Sequence, residues 1–220
     1  MRKINSIFTI IVACCYGAMG VFILFYPEFV FSKNVARQLV LLHENPPIVL
    51  NYIFWAISGV AALVAVPAIT SFITKNKNTL IQWGERLALL GYSVIAISNF
   101  RAIAIKPEVA NTFVNSDEGI RNIITMVDPW LLLGPKGYIT LGAIGVWVLI
   151  ISISAILNRK NSKIINIMGL VLALTLILSI IGLKSQAIVL TIEIIKGTVS
   201  CIWFLCIGIS MCRKSEAESI

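Results

Sequence analysis

Charged side chains are scarce in this chain: Asp, Glu, Lys and Arg make up 13% of its 220 residues, about half the share of an ordinary soluble domain. With 58% hydrophobic residues and a mean hydropathy of +0.93, that scarcity excludes a water-soluble globule and makes the bilayer the solvent. Histidine is nearly absent. His43 stands alone, so a metal site or catalytic system has at most one imidazole to use. A Gly-rich phosphate loop, a Ser-His-Asp set and an H-E-x-x-H pair are all missing, so the common soluble-type catalysis is not expected, and neither is a cofactor or metal. The polar loops contain no cysteine. Cys14, Cys15, Cys201, Cys206 and Cys212 lie in apolar segments or at their ends, which implies no disulfide framework and suits small buried hydrophobes. The formal charge of +8 is carried largely by blocks between apolar runs. That is the pattern of topology signals, not of a basic groove for nucleic acid.

What is present is apolar sequence in lengths that span a membrane. A spanning helix needs about 20 apolar residues, and the chain supplies six such stretches over 4–26, 48–73, 80–105, 137–157, 164–183 and 187–212. The expected fold is all-α, a single polytopic membrane helix bundle of six transmembrane helices, with short amphipathic helices in the external loops. Ile11-Val12-Ala13-Cys14 resembles a lipoprotein cleavage box, but the apolar run continues to Tyr26, so an uncleaved span is preferred to a lipidated Cys14. Ala13 and Gly17 form a small-xxx-small pair suited to close packing. After Pro27, Asn34 caps a short helix with Val35, Leu39 and Leu42 on one face, stopped before Pro46-Pro47. Gly142 and Gly145 allow close approach in the fourth stretch, and Pro67 kinks the second.

Nine basic residues (Arg2, Lys3, Lys75, Lys77, Arg159, Lys160, Lys163, Arg213, Lys214) gather on one side of this six-span arrangement. The opposite loops hold six basic residues against six acids. The positive-inside rule then places both termini in the cytoplasm and the long polar segment outside.

That segment, 106–136, is the main interruption and is expected to form an external cap. Pro107 suits the first position of a helix carrying Val109, Ala110, Phe113 and Val114. Ser116, with Asp117 and Glu118 behind it, suits the start of a second. In that helix Ile120, Ile123, Ile124 and Val127 recur at amphipathic spacing before Asp128-Pro129. Arg101 lies about 27 Å along its helix from Trp83. It either snorkels to the far interface or turns into the bundle beside Asn99 to meet a carboxylate such as Asp128 or Glu193. Trp147, near mid-span, would wall a cavity. Glu193 and Lys196 share a helical face. If their helix enters at Ala187, Lys196 is about 14 Å deep and the pair is buried; a later entry leaves both in the headgroup zone.

Ala36-Arg37-Gln38-Leu39, His43-Glu44-Asn45-Pro46, Arg101, Pro107, Ala110-Asn111-Thr112-Phe113, Val127-Asp128-Pro129 and Gly142-Ala143-Ile144-Gly145-Val146-Trp147 together resemble a family of bacterial six-helix membrane proteins that forms a domain of unknown function. The resemblance implies fold and a cell-membrane location, and supplies no activity. The expected function is therefore non-enzymatic: binding of a small amphiphile, lipid or membrane partner within the bundle, as a sensor or self-protection protein. The ligand-binding candidates are Arg101, Asn99, Trp147, Asp128, Glu193 and Lys196. A secondary transporter or proton-coupled carrier built on Glu193 and Lys196 is one alternative. An intramembrane enzyme, needing a carboxylate or histidine cluster, is the other.

Overall fold

The computed structural model of the chain describes residues 2–32, 34–74, 78–131, 137–158, 162–181 and 186–217. The basic turns at Lys75/Lys77 and Arg159/Lys160, the loop charges Lys33 and Lys136, and the expected return at Lys184-Ser185 lie outside these residues. Among the described residues the helices are α1 (Arg2–Phe25), α2 (Pro27–Phe31), α3 (Val35–Glu44), α4 (Val49–Ile73), α5 (Thr79–Asn115), α6 (Glu118–Val127), α7 (Ala143–Leu157), α8 (Lys163–Leu178) and α9 (Gln186–Ala217).

Among the described residues, five helical stretches are long and apolar enough to cross a membrane: Lys3–Phe25, Pro46–Ile73, Thr79–Asn115, Tyr138–Leu157 and Leu190–Lys214. Their outward faces carry large apolar side chains such as Leu24, Leu63, Leu90 and Ile97, an arrangement made for lipid rather than water. The fifth apolar stretch, 164–183, forms a shorter helix than expected. α8 has 16 residues, about 24 Å, and ends at Leu178 instead of running to 183. There Ser179 Oγ donates back to the Thr175 carbonyl at 2.9 Å.

Neighbours in sequence are neighbours in space. α1 packs on α4, α4 on α5, α5 on α7, α7 on α8, and α8 on α9, which returns to α1 and closes a ring. α1 and α9 are antiparallel. Ser6 Oγ donates to the Gly208 carbonyl at 2.6 Å, a Cβ on Gly17 would meet Cys201 Sγ at 3.2 Å, and Gly20 faces Gly197. The small-residue pair Ala13/Gly17 does pack on a neighbour, and both chain ends lie at one end of the bundle, here the terminal end. α4 and α5 approach more closely still. A Cβ on Gly59 would stand 2.8 Å from the Tyr92 carbonyl oxygen and from the Ala96 nitrogen, so only glycine fits.

The apolar interior divides into two clusters. The central one gathers Tyr16, Ala62, Ile69, Tyr92, Trp147, Leu172, Trp203 and Phe204. The other lies at the opposite end from the termini, the cap end, and joins Phe22, Phe29, Leu39, Leu42, Ile48, Tyr52, Ala110 and Phe113. α3 forms as the sequence indicates. The Asn34 side chain accepts from the Arg37 N–H, Leu39 and Leu42 are buried, and the helix stops before the Pro46–Ile48 turn.

α5 departs from expectation. It does not end before Pro107 but runs unbroken for 37 residues to Asn115, about 55 Å, so one helix serves both as span and as strut of the cap. A proline in a helix interior removes one hydrogen bond and crowds the preceding turn. Here burial of Lys106, Ala110 and Phe113 on the continuing face outweighs that penalty. α6 starts one residue later than the sequence suggested: Asp117, not Ser116, caps it, accepting from the Ile120 N–H at 2.9 Å.

Candidate functional site

The cap is clamped at both ends of α6. At its start, Arg121 donates through Nε to the Phe113 carbonyl at 2.9 Å and through Nη2 to the Val114 carbonyl at 2.7 Å, satisfying the open C-terminus of α5. Its guanidinium also stands 5.8 Å from the Phe113 ring centre. At its end, Asp128 receives Lys106 Nζ on both oxygens, at 2.6 and 2.5 Å. The two side chains are only 4% and 7% exposed. A buried ion pair roughly balances desolvation against attraction, so its net contribution is small, yet removing one partner leaves an uncompensated charge and costs about 3–5 kcal/mol.

Asp128 is among the sequence candidates, whereas Lys106 counts there only as one of the six basic residues of the opposite loops. The missed signal is periodic. Ala102, Lys106, Ala110 and Phe113 continue the buried stripe of α5, so the lysine points where a core residue belongs. Taking Pro107 as a helix start hid it.

Arg101 is not Asp128's partner. It is exposed on α5 among the exposed Ile97, Phe100 and Ile105, on the lipid-facing side, the geometry of a snorkelling arginine. Asn99 donates to its own helix at Ile95 O, 2.8 Å away, and does not join Arg101, since positions two apart on a helix face different ways. Trp147 is likewise remote from the cap. A Cβ on Gly84 would lie 3.6 Å from the Trp147 Cα, and Gly84 is about 33 Å below Lys106 along α5. Trp147 is fully buried, donates Nε1–H to Thr70 Oγ1 at 3.0 Å and meets Trp203 edge-on. It is central packing, held by a paired indole N–H.

Glu193 and Lys196 form an ion pair on α9, with side chains 22% and 6% exposed. The α1 register fixes their depth. Gly197 opposes Gly20, so Lys196 lies level with Val21, about 6 Å below the end of α1 at Phe25. α9 begins at Gln186, so Lys196 lies about 15 Å along it, with its side chain buried in the bundle wall near the cap end.

One turn above Glu193 on the same face, Leu190 lines a cleft of about 420 Å³ together with Pro27, Glu28, Phe31, Ser32 and Arg37. Its wall is apolar and its rim is charged. Arg37 Nη2 donates to Glu28 Oε2 at 2.7 Å with both side chains at least half exposed. That carboxylate holds the Arg37 guanidinium above its ordinary pKa, mainly through the hydrogen bond. Such an exposed pair is weakly coupled and exchanges partners easily. α2 and α3, not 106–136, supply this side of the cleft, and no sequence signal separates Arg37 and Glu28 from other surface charges.

An enzyme built on Asp128, Glu118 and His43 would need them gathered. Asp128 is committed to Lys106, whereas Glu118 and His43 are exposed on separate helices. Among the described residues no three His, Cys, Asp or Glu side chains come together as a metal group. Comparison with protein-family models, with curated proteins and with solved structures returned no match for the chain.

Proposed function

We propose that the chain is a six-span protein of the bacterial cytoplasmic membrane, with α8 as the short sixth span and both termini in the cytoplasm. We further propose that it binds a small amphiphile or lipid without catalysing a reaction, as a sensor or self-protection protein. The observation that carries the reading is the cap-end cleft: an apolar wall of Pro27, Phe31 and Leu190 beneath a rim bearing Arg37 and Glu28. An amphiphile presents the complementary pair of surfaces, a chain for the wall and a polar head for the rim. Arg37 suits an anionic head because its fork pairs with carboxylate or phosphate oxygens in two-point contact. Its present partner, Glu28, is released at little loss. The positive-inside asymmetry supports the orientation, and the six apolar stretches of the sequence support the span count.

The test is a thermal titration of the purified protein with dodecyl phosphate and with its uncharged alcohol analogue. Dodecyl phosphate should raise the melting midpoint in the wild type and lose most of that effect in Arg37→Ala. Equal shifts from the alcohol, or an unaltered response in the variant, would refute the site.

A second reading, a proton-coupled carrier, is favoured by one observation: the Lys196 ammonium is buried inside the bundle with Glu193 as its partner. Substrate flux in liposomes that vanishes in Glu193→Gln would establish it. Flux indifferent to that change would remove it.

A further inference from the structure

A second cavity, of about 390 Å³, opens at the terminal end between α4 and α9, with Asn5 of α1 completing it. Its shape follows from composition. α1 packs against both α4 and α9, and the α4 face turned to the cavity carries Val64, Ala68 and Ser71, spaced four and three apart on one side of the helix. Two of those three are small, so the wall is recessed. Pro67 sits within the same wall and prevents the regular helix hydrogen bond there. From Val64 to Ser71 the recess extends about 10 Å along the axis.

Polarity changes along that length. Val64, Ala68 and Met211 line the apolar part, whereas Asn5, Ser71 and Lys214 supply polar atoms. Ser71 Oγ gives its proton to the Pro67 carbonyl at 2.9 Å, leaving its oxygen to accept. Among the described residues, the Asn5 carboxamide and the Lys214 ammonium have no hydrogen-bond or ion-pair partner. Lys3 and Arg213 belong to the same helix ends and add positive charge there.

We infer that this groove is a binding site for one phospholipid with a net-negative headgroup, drawn from the leaflet on the side of the termini. Its acyl chain lies along Val64, Ala68 and Met211. Its phosphate faces Lys214 and the Asn5 amide, and a headgroup hydroxyl donates to Ser71. The site is separate from the cap-end cleft, which lies at the other end of the bundle.

Native mass spectrometry of the full-length protein in mild detergent, with equimolar phosphatidylglycerol and phosphatidylcholine, tests it. The single-lipid adduct should favour phosphatidylglycerol by about fivefold or more, the weight of one lysine near an anionic head. Lys214→Gln should bring the ratio close to one, and Val64→Trp, which fills the recess, should remove both adducts. The same preference, with the same dependence on Lys214, should persist in the Arg37→Ala background, where anionic binding at the cap-end cleft is weakened. If Val64→Trp fails to fold, the Lys214→Gln ratio decides. Equal adducts in the wild type, or a ratio unmoved by Lys214→Gln, would overturn the inference. So would displacement of the lipid by glycerol phosphate at equal concentration, which would mark a site for a free anion.

Discussion

At the centre of the bundle, Trp147, Trp203, Phe204 and Tyr16 interlock with no charged group among them, and α4 meets α5 backbone to backbone at Gly59. At the cap end, a smaller cluster around Phe22, Leu39, Tyr52 and Phe113 is closed over by a short helix that has no buried residue of its own. α6 holds its place through Arg121, Asp128 and the half-buried Ile124, which packs on that cluster. The centre is fixed by shape, where small misfits propagate because packed interiors do not deform smoothly. The cap is fixed by a few polar contacts, so it can open as a unit while the rest persists. Its exposed Ile120, Ile123, Met126 and Val127 give α6 the apolar side of an interfacial helix.

The largest effect should come from breaking the centre. Gly59→Leu drives a side chain into the α5 backbone and should leave no monodisperse folded protein on size exclusion. The next is Asp128→Ala, which strands the Lys106 charge. It should cost about 3–5 kcal/mol, and hydrogen exchange should show the loss in α6 and outer α5 while α7 and α8 keep their protection. The double variant Lys106→Met/Asp128→Leu sharpens the point. It should recover most of that stability, since an apolar pair of similar volume commonly matches a buried ion pair. Arg121→Ala should destabilise by about 1 kcal/mol, with faster exchange confined to the α5–α6 junction. Smallest of all, Arg37→Ala should leave the melting midpoint of the ligand-free protein within error, because its pair with Glu28 is exposed.

The same contrast explains what could be read from residues alone. Apolar length and local capping chemistry are one-dimensional, so the long spans, the Asn34 cap and the buried face of α3 were legible. The small residues Ala13, Gly17, Gly142 and Gly145 likewise announced close contacts, and Gly145 does pack on Leu176 and Ala173. What failed depends on partners distant in the chain. Lys106 finds Asp128 across 22 residues, and that pairing, with the burial of Phe113, carries α5 through a proline that local rules treat as a boundary. Trp147 had no depth until its antiparallel register against α5 was known. Arg101 drew attention as a charge near a span, but its helical face points to lipid. The depth of Glu193 and Lys196 hung on where α9 starts, which the sequence leaves open and the helix puts at Gln186.

If the cap-end cleft is the amphiphile site, binding there leaves the packed centre unaltered. Hydrogen exchange on the full-length protein in phosphatidylcholine nanodiscs, with and without dodecyl phosphate, tests it most directly. Added protection is expected in α2, α3 and the first turns of α9, with α5 near Gly84 and α7 near Trp147 unaffected. Protection that appears in the centre alone, or no change anywhere at saturating amphiphile, would contradict it.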